Sequence, residues 1–407
     1  MLTEAEPEFQ LVVDCARTAI VTDASPDPPA LDAAPDWDRV VELARYHGVV
    51  QLLYQGLEPM AHESGDEFTV PESVLTRLSS TVQGKRMRNL AFTTELQEII
   101  ERFETRGVRA IPFKGPVLSA ATYDDATVRE YNDLDLLVHP EDITVAADIL
   151  EERGYEWRGG TPRLDDAALL GGPVTKAIVH EYEMRGPEFD VELRWRVGDA
   201  ERPFSPPFDE LWDRRDTVAV GGQPLPALAQ PDRLLVLAFH GTKHRWYLLK
   251  WLCDFVAALE STEADWPHVL DRAREASVER NLLLGAALAR ATFGYALPAP
   301  ILDRLRTDDH VAELAKDVVE SLATGTPQAP TRLEAARFYL AASDSATALV
   351  PFILLHSSLH PTYSEYQFCP LPGPLHPLYY VTWPFRLLLE APQWQRQQSE
   401  EPRNELT

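Results

Sequence analysis

Residues 107–156 read GVRAIPFKGPVLSAATYDDATVREYNDLDLLVHPEDITVAADILEERGYE. Val108 to Phe113 is a short apolar, β-prone run. Leu134 to Val138 is a second, bounded by Asn132-Asp133 before it and His139-Pro140 after it. Runs of this length between turn-forming residues predict strands. Between them, Pro116 to Tyr123 predicts one or two helical turns. Pro140 to Arg153 predicts a longer helix, with a proline near its start, two acids in its first turn and Gly154 just past its end. The expected order is strand, helix, strand, helix.

Outward from this stretch the texture is helical on both sides. Trp37 to Leu57 and Val74 to Arg106 carry apolar residues at three-and-four spacing, among them Leu96, Ile99, Ile100 and Phe103. The Pro/Asp-rich segment 25–36 reads as a solvated loop. On the C-terminal side, Tyr155 to Arg158 resumes extended structure, and the Gly/Asp-rich segment 159–172 reads as a surface insertion. Lys176 to Met184 and Glu188 to Val197 read as paired strands turned at Arg185-Gly186-Pro187. In the second, Phe189, Val191, Leu193 and Trp195 alternate with Asp190, Glu192, Arg194 and Arg196. Helices are expected from Gln230 to about Leu322 and from Arg332 to Leu359. A Pro-rich stretch, a short apolar helix over 384–390 and a polar tail follow. This divides the chain into an N-terminal helical region (1–88), an α/β core (89–228), a C-terminal helical domain (229–395) and a tail (396–407), with no internal repeats.

Composition bounds the setting. The 407 residues include 64 acidic and 38 basic ones, for a net charge of -26, and the only lysines are Lys85, Lys114, Lys176, Lys243, Lys250 and Lys316. Such a surface stays hydrated in concentrated salt and argues against a broad nucleic-acid-binding face. A salt-adapted cytoplasm is the expected location. Three glutamates in the first ten residues leave no signal-peptide pattern. The apolar run Ala346 to Leu355 is about half the roughly 20 residues of a membrane span. Three widely separated cysteines, Cys15, Cys253 and Cys369, suggest neither a disulfide framework nor a zinc site.

The chemistry-bearing residues sit at strand ends. On a strand, Asp133 and Asp135 point from one face, because side chains repeat every second residue. Two carboxylates held this close repel each other unless a cation lies between them, and oxygen ligands of this kind suit Mg²⁺ or Mn²⁺. Asp190 and Glu192 lie on the polar face of a later strand, and either can complete a site for two metal ions. Lys114-Gly115 ends a strand and opens a helical turn, offering an ammonium and backbone N–H groups to a triphosphate. Arg129 offers a planar fork for phosphate or for orienting the aspartates; the alternative is an ion pair with Asp133 or Glu130. Downstream, His240, Lys243, His244, Tyr247, Lys250 and Trp251 recur at helical spacing. If one helix runs on past Gly241, this face can hold a nucleotide or its acceptor. A metal pair at His240 and His244 lacks a clustered third ligand. Asp254 reads as a local cap or salt bridge.

The stretch 107–156, with its Lys-Gly turn, its arginine, its Asp-x-Asp strand, the helix and the Gly-aromatic end, resembles the uncharacterised nucleotidyltransferase family of the DNA polymerase β-like superfamily. The resemblance extends through FDVELRWRV and PLPGPLHPLYYVTWPFRLLL, covering most of residues 37–390. It implies an α+β fold: a polymerase-β-like core, a small mixed sheet with flanking helices, between N- and C-terminal helical regions. It also implies Mg²⁺ or Mn²⁺ and transfer of a nucleoside monophosphate from an NTP to a hydroxyl, with release of pyrophosphate. The catalytic residues would be Asp133, Asp135 and Glu192, and the nucleotide-binding ones Lys114, Gly115, Arg129, Lys243 and His244. The acceptor, whether small molecule, tRNA or protein, is not implied. Two positions depart from the family pattern, Glu192 standing where the family has Asp and Arg194 where it has His. The first leaves the third ligand open between Glu192 and Asp190. Together they keep a second reading in play, a nucleotide-binding regulatory or assembly protein with a degenerate site.

Overall fold

The computed structural model describes residues 6–24, 34–63, 69–158, 181–198, 204, 206–261, 264–324 and 331–344, and positions 371, 375, 378, 379 and 381. The insertion expected at 159–172, the first part of the strand expected from Lys176, the end of the helix expected to reach Leu359, the helix at 384–390 and the tail lie outside these residues.

Three helices open the chain: α1 (Pro7–Ile20), α2 (Trp37–Tyr46) and α3 (Val50–Glu63). The helical stretch expected from Trp37 to Leu57 breaks at His47-Gly48, where Gly48 takes φ +67°. Asp36 starts α2 by accepting the N–H groups of Asp38 and Arg39. A Cβ placed on Gly56 would stand 2.1 Å from the carbonyl oxygen of Cys15, so α1 and α3 cross backbone against backbone. Next, α4 (Glu72–Thr105) runs for 34 residues, about 50 Å at the usual helical rise. The boundary expected after residue 88 falls inside it.

The sheet has the order β1-β2-β5-β4-β3, from β1 (Ala110–Pro112), β2 (Asp133–Val138), β3 (Glu156–Trp157), β4 (Glu181–Arg185) and β5 (Asp190–Arg194). Only the β2–β5 pair is parallel, which makes the sheet mixed. Between β1 and β2 lies α5 (Gly115–Tyr123), and α6 (Ile143–Glu152) follows β2. The start of α6 is three residues later than its sequence suggests. The carboxylate of Asp142 is occupied by the backbone N–H and Nε of Arg109 at 3.1 and 2.9 Å and makes no cap. Past α7 (Phe208–Asp213), a hairpin of β6 (Asp216–Val220) and β7 (Gln223–Ala227) turns at Gly221-Gly222, both at positive φ. The sequence reading passed over this hairpin.

Seven helices complete the described fold: α8 (Gln230–Lys243), α9 (Leu249–Glu260), α10 (Trp266–Glu275), α11 (Glu279–Phe293), α12 (Ala299–Leu305), α13 (Asp309–Ala323) and α14 (Arg332–Ala342). The turn from α8 to α9 passes through Arg245 and Trp246, both left-handed at φ 52° and 54°. Such a conformation is costly for side-chain-bearing residues. It is held by the fully buried Trp246 indole, which occupies the space left by Gly241.

The described residues bury two cores. One joins α1–α3 and the first half of α4 to the C-terminal helices and to Ile111, Phe113 and Leu137 on one sheet face. The other lies under the opposite face, where Leu134, Leu136, Val191 and Leu193 meet Phe92 to Phe103 of α4 and the apolar side of α6. Cys15 and Cys253 are buried free thiols. Among the described residues no helix is long and apolar enough to cross a membrane.

His47 ties the N-terminal helices to the start of α9. Its Nδ1 accepts the Leu249 N–H and its carbonyl the Lys250 N–H, both at 3.2 Å. Burial lowers its pKa from 6.5 to about 4, so on acidification the unfolded chain takes up a proton before the folded one does. Stability from this group is complete above about pH 6.5 and is lost as pH falls toward 4. The expected loss between pH 7.5 and 4.5 is about 2–3 kcal/mol. Urea unfolding at both values should show it, and His47→Asn, which keeps an acceptor for Leu249, should reduce the slope. An unchanged slope in the variant would assign the acid sensitivity elsewhere.

Candidate active site

The parallel register of β2 and β5 sets Asp133 beside Asp190 and Asp135 beside Glu192. Their neighbours Leu134, Leu136, Val191 and Leu193 go into the core, so the acids face the other way. Ligand oxygens of Asp133, Asp135 and Glu192 lie within 4.8 Å of one another. Asp190 does not join them. Its side chain is 43% exposed and 3.6 Å from Arg158, and it does not line the cavity that the other three share. Two residues of strand carry it about 7 Å toward the sheet end from Glu192. Between the two candidates for third carboxylate, the geometry therefore favours Glu192.

Two cations stand among these acids. The Lys114 ammonium donates to Asp135 Oδ1 at 3.0 Å. Arg194 lies 3.5 Å from the same oxygen, and its NH2 reaches Glu192 and Glu181, each at 2.5 Å. Burial, and then the charge of Asp135, raise the Asp133 pKa and push Glu192 up to about 7. Burial acts the same way on Asp135, which is only 3% exposed, but Lys114 and Arg194 outweigh it and hold that carboxyl below its ordinary range. Asp135 thus carries the firmest negative charge of the three.

Arg129 makes neither of its expected ion pairs. Its Nε donates to Asp254 Oδ2 on α9 at 2.7 Å, and the Tyr123 hydroxyl donates to the other oxygen at 3.0 Å. Glu130 is bonded by Lys85 at 2.5 Å. Asp254 is therefore no local cap: it partners a residue 125 positions away and is 2% exposed. The loop carrying Arg129 is fixed from beneath, where the Asn89 amide donates to the carbonyls of Thr127 and Arg129, both at 2.9 Å. Arg129 still lines the cavity, as do Lys114 and the carboxylates.

The downstream cluster also reaches the cavity, by a different route from the one expected. Since α8 ends at Lys243, the cluster does not occupy one helix; the left-handed turn brings the start of α9 back beside the end of α8. His240, Lys243, His244, Lys250 and Trp251 line the same cavity as the carboxylates. His244 stacks on Trp251 at 4.8 Å, and His240 meets His244 edge-on at 4.6 Å. Burial, followed by the charge of Lys114, lowers the His240 pKa well below its ordinary value. Among the described residues, Asp133, Asp135 and Glu192 are the one group gathered as a metal cluster would be, and it includes neither histidine.

The cavity holds about 300 Å³. Lys243 and His244 also border a neighbouring groove of about 740 Å³, whose lining includes His310, Arg337 and Phe338. Asp254, Tyr123 and Glu181 were not singled out by the sequence reading as parts of this site. Their spacing carries no signal, because each reaches it through a tertiary contact.

No curated protein matches the chain. A family model described as an uncharacterised nucleotidyltransferase matches residues 33–294, a span that contains every described residue lining the carboxylate cavity. With that match covering more than half of its length, the chain belongs to the uncharacterised nucleotidyltransferase family.

Proposed function

We propose that the protein transfers a nucleoside monophosphate from a nucleoside triphosphate to an acceptor hydroxyl in a reaction that depends on Mg²⁺ or Mn²⁺. The observation that carries this reading is the gathering of Asp133, Asp135 and Glu192 within 4.8 Å. Charge supports it. Asp133, Asp135, Glu192 and Glu181 face Lys114 and Arg194, which leaves two negative charges when all are ionised, the complement of one divalent cation. A second cation would draw its balance from the substrate phosphates.

A cation held by Asp133, Asp135 and Glu192 would neutralise charge on the phosphate undergoing transfer. Asp135 keeps its charge because Lys114 and Arg194 stand beside it, and Lys114 in turn is held at the cavity rim. Gly115, at φ +58°, begins α5 directly after Lys114 but does not itself line the cavity. The acceptor hydroxyl gives up its proton to solvent and its oxygen bonds to the α-phosphorus as the bond to the pyrophosphate oxygen breaks, and positioning with charge stabilisation accounts for the gain in rate. Lys243 and His244, shared by both spaces, suit a nucleotide whose far end meets the acceptor in the larger groove. Buried free thiols and an acidic surface fit a reducing, salty cytoplasm.

Incubation of the protein in high salt with Mg²⁺ and labelled NTPs should release pyrophosphate. Equal release by Asp133→Asn and the parent would remove the reading. One observation favours binding without turnover: the contact of Arg194 with Glu192, which satisfies part of the cluster internally. A protein of that kind binds NTP in a calorimeter and leaves it intact.

A pH dependence follows from Glu192. Below about pH 7 it holds a proton that an incoming cation must displace, so Mn²⁺ affinity should fall as pH is lowered from 8 to 6. The limit is about tenfold per pH unit for one proton. Electron paramagnetic resonance of free Mn²⁺ measures it, and a flat profile would remove Glu192 from the ligands.

A further inference from the structure

Lys250 occupies the first turn of α9, and it is half-buried and lines the cavity that the carboxylates share. Two contacts fix its base. Its N–H donates to the His47 carbonyl at 3.2 Å, and its stem runs so close over Gly48 that a Cβ there would stand 2.8 Å from Lys250 Cδ. Lys85, Lys114 and Lys316 each meet a carboxylate. The Lys250 ammonium has no such partner among the described residues. Three acids act on it from a distance: Asp254, which is committed to Arg129 and Tyr123, Glu130, which is committed to Lys85, and Asp133 of the carboxylate cluster. Burial and the charge of Arg129 lower its pKa from the usual lysine value, as expected for a cation lacking a neutralising contact.

We propose that Lys250 binds the β- and γ-phosphates of the triphosphate, the portion that leaves as pyrophosphate. This rests on the nucleotidyl-transfer reading and refines it. The sequence directs attention to Lys114 for this task, but Lys114 is engaged with Asp135 on the acidic wall. A polyphosphate chain is repelled by the carboxylates except where a cation bridges to them, and is attracted by the Lys250 ammonium. The α-phosphate therefore lies toward Asp133 and Asp135 and the terminal phosphates toward Lys250. A half-buried ammonium with no carboxylate in contact makes the ligand-free protein less stable than it need be, and a bound polyphosphate removes that deficit.

The test is calorimetric titration of the full chain with pyrophosphate in Mg²⁺, together with Mn²⁺ titration and thermal melts. Lys250→Met should weaken pyrophosphate binding by tenfold or more, leave Mn²⁺ affinity within twofold, and melt at or above the temperature of the parent; Lys250→Gln should behave alike. Pyrophosphate binding by Lys250→Met within twofold of the parent overturns the assignment. So does a fall of several degrees in the melting temperature of both variants, which would mean that the ammonium is neutralised within the fold. If the parent binds pyrophosphate and Mn²⁺ and Lys250→Met binds pyrophosphate as the parent does, the transfer reading survives without Lys250. If the parent binds neither, both fall together.

Discussion

Asp133→Asn should lower nucleotidyl transfer by about a thousandfold, the scale seen when charge stabilisation is removed from a transition state, and should leave the protein at least as stable as before. Asp135→Asn should remove as much activity while destabilising the fold. The two aspartates belong to one cluster yet sit in opposite electrostatic balance. Asp133 is raised in pKa by burial and by Asp135, so neutralising it relieves repulsion. Asp135 is held below its ordinary range by Lys114 and Arg194, and neutralising it leaves those cations without their strongest partner. Pyrophosphate release alongside urea unfolding of the parent and both variants measures the contrast. Activity retained by Asp133→Asn, or equal destabilisation by the two substitutions, would show that the acids do not act as described.

The second large effect lies at Asp254. Removing its carboxylate strands Arg129, which is buried and, among the described residues, has Asp254 as its one ion-pair partner, and leaves the Tyr123 hydroxyl without its acceptor. Breaking a buried pair of this kind costs about 3–5 kcal/mol. Asp254→Ala should lose that much in urea unfolding, and Asp254→Asn less, since an amide oxygen still accepts. Replacing both partners by apolar residues, as in Arg129→Met with Asp254→Leu, should recover a large part of the loss. A cost below about 1 kcal/mol, the scale of an exposed pair, would contradict the burial described here. Because the pair joins the loop before β2 to α9, its loss should also loosen the alignment of the two cavity walls and weaken NTP binding.

What could be read from the chain, and what could not, divides by the range of the interaction. The strands at Val108 to Phe113 and Leu134 to Val138 and the helix after them are marked by local periodicity and by Pro and Gly at their ends, and they formed with shifts of a few residues. The common face of Asp133 and Asp135 follows from the two-residue repeat alone. The choice of Glu192 over Asp190 needed the β2–β5 register, which no local pattern encodes across the intervening residues. The Arg129–Asp254 pair was illegible for the same reason. Two local features were missed on other grounds. The β6–β7 hairpin shows a Gly-Gly turn signal, but Pro224 and Pro226 in its second strand argue against a ladder. The α8–α9 turn uses Arg245 and Trp246 in left-handed conformations, and neither residue type announces one.

The length of α4 governs how the molecule can be divided. Val74, Leu78 and Val82 near one end sit among the N- and C-terminal helices, while Phe92 to Phe103 toward the other lie beneath the sheet, so a single uninterrupted girder is built into both floors of the structure. A fragment beginning at residue 89 would inherit the carboxylate-bearing sheet with half of that girder sawn off. The excised piece would expose an apolar stump to water, and the remainder would keep a seam it could no longer close.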